Sequence, residues 1–216
     1  MGNEEDEKVI QSVPNEQRMI SFTFDDGPHP EYTPELLKIL QKFNVKCTFF
    51  VLGECVERFP HLLKSIHEHG HEIGNHTYYH LDLTQQSSSV IENEIISSEV
   101  LINSILGVTP TLLRSPYGLY NDAVLDIATK HNYTFCHWSE YLGLEDWTLP
   151  GVERMVEMML NVKMGDILLL HDAGGDRKET MDAVEQVIPK LMDLNFNIVP
   201  LGEMLKSCSL NVKGVI

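Results

Sequence analysis

Paired cysteines, cationic clusters and long apolar runs are what this sequence lacks. Its four cysteines are Cys47, Cys55, Cys136 and Cys208, and no two stand in a CxxC pair. That argues against a cysteine zinc site. Cys47 and Cys136 fall in strand-like runs and read as small buried hydrophobes. A Cys55–Cys208 disulfide is conceivable only in an exported protein. Cations are few: 16 Lys and Arg stand against 32 Asp and Glu, a net charge of -16. Nucleic-acid binding rests on cations meeting phosphates, so that partner is disfavoured, as is an anionic membrane surface. Part of the acid excess lies in Glu4-Glu5-Asp6-Glu7. With its surroundings it reads as a flexible tail over residues 1–17, so the charge says little about a site. No run is long and apolar enough for a transmembrane segment. The first residues have no apolar signal-peptide core, and Asp6 spoils a myristoylation signal at Gly2. A cytosolic protein, or an exported one read without its export signal, fits these features.

A 43% apolar content over 216 residues is enough for one domain with a sizeable core. From Met19 onward, strand-like and helical patterns alternate. Strands are expected at 19–24, 45–52, 71–74, 111–114, 133–138, 166–170 and 197–200. Helices are expected at 33–43 (Thr33 as N-cap), 56–69, 84–106, 120–131, 150–162, 180–194 and 201–206. This βα alternation, with a period of roughly 30 residues, predicts an α/β fold. About seven parallel strands suit a distorted (β/α) barrel over residues 18–206, leaving 207–216 as a C-terminal tail. The chemically loaded residues follow five of the strands: Asp25 and Asp26, His76 and His80, Arg114, Asp146, and His171. In a parallel barrel the C-terminal strand ends share one face, where active sites form.

The chain is organised around Thr23-Phe24-Asp25-Asp26-Gly27-Pro28, where two adjacent carboxylates end a strand. Neighbours on a strand point to opposite faces, so a Gly-Pro turn is needed to aim both acids at one place. Their repulsion calls for a cation or a shared proton. One acid on a metal and one free to take a proton would meet that need; a solvated acidic turn is the plainer alternative. His76 and His80 are four apart, which on a helical turn puts both imidazoles on one face. With Asp26 they would make a His₂-carboxylate set with an open position, the pattern of a catalytic zinc. Alone, HxxxH more often marks unrelated histidines. His171, after Ile167-Leu168-Leu169-Leu170, is placed to be a general acid or a capped core histidine. Arg114, if buried, needs a carboxylate, and Asp25 is the obvious one. Pro116-Tyr117-Gly118 can expose backbone N–H groups to an oxyanion, or form an ordinary turn.

Together these residues resemble the polysaccharide deacetylase family, carbohydrate esterase family 4, which includes chitin and peptidoglycan N-deacetylases. The resemblance runs from about Arg18 to Leu205. Thr23-Phe24-Asp25-Asp26-Gly27 matches the family's first motif and His76-Thr77-Tyr78-Tyr79-His80 its second. Arg114-Ser115-Pro116-Tyr117-Gly118 matches the third and Leu169-Leu170-His171 the fifth. The resemblance implies one divalent metal, zinc with cobalt as a substitute, held by Asp26, His76 and His80. It implies Asp25 as base, Arg114 as its holder, Tyr117 as oxyanion donor through its backbone, and His171 as acid. Leu169 and Trp147 would wall the acetyl pocket, and Asp146 would orient His171.

The fourth motif departs from the family. Asp146-Trp147 fits its end, but Gly143 stands where the family usually has another Asp, and the stretch from Trp138 to Trp147 is longer than usual. The implied reaction is hydrolysis of an N-acetyl group on an N-acetylglucosamine polymer, chitin foremost, releasing acetate. Such a polymer lies outside most cells, so an extracellular or wall-associated protein is expected, and Asn132-Tyr133-Thr134 is a glycosylation sequon. The alternatives are a wall-associated protein with little catalysis and a barrel amidase acting on a small cyclic amide.

Overall fold

The structure is a computed structural model that describes residues 9–212; the acidic run at residues 4–7 lies outside them. Its elements, in order, are β1 (Val9–Ile10), β2 (Met19–Asp25), α1 (Tyr32–Lys42), β3 (Thr48–Val51), α2 (Gly53–Arg58), α3 (Pro60–Glu68) and β4 (Glu72–Asn75). There follow α4 (Ser88–Leu106), β5 (Leu112–Leu113), α5 (Asp122–Lys130), β6 (Thr134–Cys136), α6 (Val152–Met159), β7 (Ile167–His171), α7 (Lys178–Asp193), β8 (Asn197–Ile198) and α8 (Leu201–Val212).

The strands pair in parallel in the order β1-β6-β5-β4-β3-β2-β7, with β8 beside the start of β2. Seven strands therefore make a curled sheet of barrel type. Its two ends meet. Ser12, just after β1, forms an antiparallel bridge with Asp166. The Val13 amide donates to the Gly165 carbonyl (2.8 Å), and the Ser139 amide to the Ile167 carbonyl (2.9 Å). For the described part of the expected 1–17 tail this is a correction: Val9 and Val13 are buried, and the segment from Val9 joins β6 to β7, while residues 1–8 lie outside the described residues. Nor is 207–216 wholly a tail, because α8 runs on to Val212.

Alternation along the strands separates two environments. On β2, Ile20, Phe22 and Phe24 pack with residues of α1 and α7, as do Leu168 and Leu170 of β7. The opposite face carries Ser21, Thr23 and Asp25, all buried. A second apolar cluster joins α4 and α5 to β5 and β6. A third packs Phe50, Leu112, Cys136 and Ile167 with Leu201 and Met204 of α8. The β2–β7 register sets Asp25 beside His171. Strand parity thus places both groups in the cleft: a one-residue slip in the register of β2 would aim Asp25 at the helices.

Several local expectations shift. Thr33 is not the cap of α1; Glu31 is, and the Thr33 hydroxyl accepts the His29 amide (2.7 Å) while donating to Asp172. The helix expected over 56–69 is two helices, broken at Phe59, with Pro60 opening the second, where its missing N–H costs nothing. The long helix starts at Ser88; residues 83–85 form a separate 3-10 turn. All four cysteines are free. Cys208 packs against the third cluster, whereas Cys55 lines a small cavity near Asp26, so the conceivable disulfide is not formed.

Candidate active site

A cleft of about 720 Å³ opens at the C-terminal ends of the strands, lined among others by Asp25, Asp26, His76, His80, Leu169 and His171. Tyr117, Trp147 and Gly143 also face it, as do Glu140 and Glu145.

The backbone is bent to make this site. Asp26 leaves β2 in a left-handed conformation (φ 73°), which turns its side chain to the same side as that of Asp25. Left-handed backbone costs a non-glycine residue on the order of 1–2 kcal/mol. Thr77 (φ 71°) and His80 (φ 57°) carry the same strain. His76 directly follows β4, and His80 ends an irregular turn. The two imidazoles therefore converge through a strained turn, not through the helical turn that their spacing suggested. Gly174 (φ 72°) lets the chain after β7 approach: a Cβ there would lie 2.6 Å from Asp26 Oδ2.

His76 Nε2 and His80 Nε2 lie 3.4 and 3.3 Å from Asp26 Oδ1. These separations are long for charge-assisted hydrogen bonds, and Asp26 Oδ1 is buried with no hydrogen-bond partner. His76 Nδ1 is 2.8 Å from the Arg114 carbonyl, which can only accept, so Nδ1 carries the proton. On a neutral His76 the Nε2 lone pair then faces the carboxylate. Three donor atoms within 4.8 Å of one another, aimed at one space, fit a cation. Two imidazoles and a carboxylate are a zinc-type set. Burial works to raise the Asp26 carboxyl, but the facing histidines, His76 foremost, hold it well below the usual carboxylate range. For His76, burial works to lower the imidazole but the carboxylates of Asp25 and Asp26 outweigh it; for His80, burial and the nearby His76 prevail and lower it.

Asp25 is set apart from this cluster. Its Oδ1 accepts from Arg114 Nη1 (2.8 Å), and its Oδ2 stands 3.7 Å from His76 Nε2. Arg114 is fully buried. It also donates to Thr23 Oγ1 (2.7 Å) and the His137 carbonyl (2.7 Å), and its guanidinium lies over the Phe50 ring. The guanidinium thus ties β2, β5 and the end of β6 together while fixing Asp25. Breaking such a buried pair typically costs about 3–5 kcal/mol.

Across the cleft, His171 Nδ1 is 2.7 Å from Asp146 Oδ1. Asp146, fully buried, also accepts the His171 amide (3.0 Å) and the Thr180 hydroxyl (2.9 Å) through Oδ2. Burial works to lower His171, but Asp146 outweighs it, with help from Asp25 and Asp26, and the imidazole is raised. Trp147 meets its ring edge-on at 5.5 Å. Tyr117 sits in the 3-10 turn Pro116–Gly118 with φ 58°, and its ring packs against His80 at 4.5 Å. Gly118 (φ 68°) permits that turn, since a Cβ would lie 2.5 Å from Trp138. The long loop from Trp138 is pinned by Asp166, which accepts from Ser139 Oγ (2.9 Å) and the Tyr141 hydroxyl. Glu140 does not replace the acid absent at Gly143, because it faces His137 (3.7 Å), not His171.

All ten residues singled out in the sequence border this cleft or, as with Arg114 and Asp146, stand directly behind a residue that does. Sequence reading missed Thr23 and Thr180, ordinary hydroxyls until the tertiary contacts are drawn, and Arg177, which lines the cleft while donating to the carbonyls of Ala173, Gly174 and Asp176.

Fold and site together define a class: a curled parallel barrel with a His₂-carboxylate cluster, a separate carboxylate and a carboxylate-bound histidine at its strand ends. A family model described as polysaccharide deacetylase matches residues 12–136. A peptidoglycan-N-acetylglucosamine deacetylase of Bacillus cereus is 40% identical over 199 residues, covering 92% of this chain and 93% of that protein. A chitooligosaccharide deacetylase of Bradyrhizobium is 34% identical, covering 87% of this chain and 90% of its own. The crystal structure of a peptidoglycan N-acetylglucosamine deacetylase, in complex with 4-naphthalen-1-yl-N-oxidanyl-benzamide, superposes with a TM-score of 0.90 at 33% identity, over 96% of this chain and 98% of that one. The chain belongs to the polysaccharide deacetylase family.

Proposed function

We propose that this protein is a zinc-dependent N-deacetylase that hydrolyses acetamido groups of N-acetylglucosamine polymers, with chitin-type oligomers as preferred substrates. The observation that carries this reading is the division of labour in the cleft. A carboxylate fixed by a buried arginine and a histidine fixed by a buried carboxylate stand on adjacent strands, beside the Asp26, His76 and His80 set.

Those three residues would hold the metal, which supplies Lewis-acid chemistry at the acetyl group. Asp25 takes the proton of the attacking water, and Arg114 keeps that carboxylate oriented. The Tyr117 backbone N–H faces the oxyanion that develops on the acetyl oxygen. His171, kept cationic by Asp146, donates its proton to the departing amine. The products are acetate and a glucosamine unit. Leu169 and Trp147 wall the space for the methyl group, and Asp146 retains His171 in its donating orientation.

Glu140 and Glu145 line the cleft, and among the described residues the one lysine or arginine that does, Arg177, is buried and bound to backbone carbonyls. A glycan bearing carboxylates would meet like charge there, which favours a neutral chitin-type chain. The second reading, a peptidoglycan glycan strand, is favoured by the 40% identical relative. A polymer substrate implies work outside the cell or at its wall. Acetate release from chitooligosaccharides and from peptidoglycan, with zinc and with cobalt, tests the proposal. Zinc-loaded protein that releases no acetate from either would refute it.

A further inference from the structure

We propose that Glu94, in the N-terminal half of α4, is a positioning residue for the metal-binding turn; the inference rests on the ligand set proposed above. Glu94 lies eighteen and fourteen positions beyond His76 and His80 and touches neither imidazole in the hydrogen-bond pattern. It is nonetheless 3% exposed, in the interior face of a helix whose other buried side chains are mostly apolar. A buried carboxylate is costly unless hydrogen bonds hold it. Here its partners are the backbone amides of Tyr78 (3.1 Å) and Tyr79 (2.8 Å), both taken by Oε2, and among the described residues it has no ion-pair partner.

Those two amides lie between His76 and His80. The turn around them has left-handed residues at Thr77 and His80, and it forms no helix that could satisfy its own amides. Every amide from 76 to 79 goes elsewhere: His76 to the Val51 carbonyl, Thr77 to Asn75 Oδ1, and Tyr78 and Tyr79 to Glu94. The turn's outward carbonyls are held too, Thr77 by the Gly53 amide and Tyr78 by the Glu54 amide. Among the described residues, Glu94 is the one charged side chain that these backbone amides and carbonyls meet. Its charge-assisted bonds fix the two residues that carry the chain from one ligand to the next. The angle at which His80 meets Asp26 therefore depends on a side chain a helix away. Groups that orient metal ligands in this way typically contribute 10–100-fold to metal affinity.

The test measures zinc dissociation constants by competition with a chromophoric chelator, for wild type, Glu94→Gln and Glu94→Ala. Cobalt-loaded samples give visible absorption spectra, and circular dichroism follows melting of the metal-free proteins. Glu94→Gln keeps an acceptor oxygen and loses the charge. It is expected to weaken zinc roughly ten-fold and to alter the cobalt spectrum while the metal-free protein stays folded. Glu94→Ala should weaken zinc more. Ser98→Ala, one turn further along the same buried face, should leave both readouts at wild-type values. A Glu94→Gln protein with zinc affinity within two-fold of wild type and an unchanged cobalt spectrum would overturn the proposal, whatever its melting temperature. No step uses a glycan, so a failed deacetylase assay leaves this result standing. Wild type that binds no zinc would overturn both the ligand set and the role of Glu94.

Discussion

Replacing Asp146 by Asn tests the acid half of the proposed chemistry with almost no change of shape. Asp146 Oδ2 accepts two hydrogen bonds, from the His171 amide and the Thr180 hydroxyl, and Oδ1 accepts one, from His171 Nδ1. An asparagine satisfies more of these by leaving its oxygen at the Oδ2 position. Its NH₂ then faces Nδ1, which must become an acceptor, so the proton of a neutral ring moves to Nε2. The variant loses charge and tautomer together. At a separation of about 4 Å and an effective dielectric of about 20, the lost attraction for an imidazolium is about 4 kcal/mol. Desolvation of the ring acts against the cation before and after the change. Half of that attraction, about 2 kcal/mol, still favours the neutral form about 30-fold. Adding the inverted tautomer, kcat for acetate release should fall on the order of 10²-fold, within the range that general acids contribute. The sign of the pH effect follows from the role. An acid is lost as pH rises through its pKa, so the alkaline limb of the profile should move to lower pH in Asp146→Asn. Acetate release followed against pH, with zinc content measured on the same samples, gives the answer. A variant with a wild-type alkaline limb and less than a three-fold loss of kcat would refute the role of Asp146, and full turnover by His171→Ala would refute that of His171.

Three other perturbations probe separate parts of the molecule. His76→Ala should abolish stoichiometric zinc binding, read by elemental analysis; wild-type metal content would mean a different ligand set. Asp25→Asn should keep the zinc and lose turnover on the order of 10²–10⁴-fold, whereas loss of metal along with turnover would make both acids ligands. Asp172 is buried, and burial pushes its carboxyl up to about 7. An unfolded Asp titrates near ~4, so between about pH 4 and pH 7 the unfolded chain sheds a proton that the folded chain keeps, and stability falls as pH rises through that window. Urea unfolding of metal-free Asp172→Asn should therefore show a flatter pH dependence there than wild type; an unchanged slope would mean that Asp172 ionises when folded.

The barrel was legible because two periods, near 3.6 and 2, alternate along most of the chain and because parallel strands force their C-terminal ends together. That logic brought residues as distant as Asp25 and His171 to one cleft. It failed where an element is too short to show a period, as at Val9–Ile10, or where the backbone leaves the common regions, as at Asp26 and Thr77. Spacing alone could not distinguish a helical turn from the strained one joining His76 to His80. Phe59-Pro60 carried a readable break that the apolar spacing of 56–69 masked. Glu94 had no signal at all: an acid within an amphipathic helix looks solvent-facing until the turn it holds is seen.

The junction at Ser12 and Val13 makes the barrel a strip fastened along one edge. Much of its fastening is the first described segment of the chain, joined by Ser139 after β6, and not one of the larger helices. A recombinant domain cut at Arg18 would retain every cleft residue yet lose β1 and the Ser12 and Val13 bonds, baring the flank of β6 to any passing strand and leaving Ser139 to hold that edge to β7. The natural place for a tag or fusion is accordingly upstream of Val9, with the latch left whole.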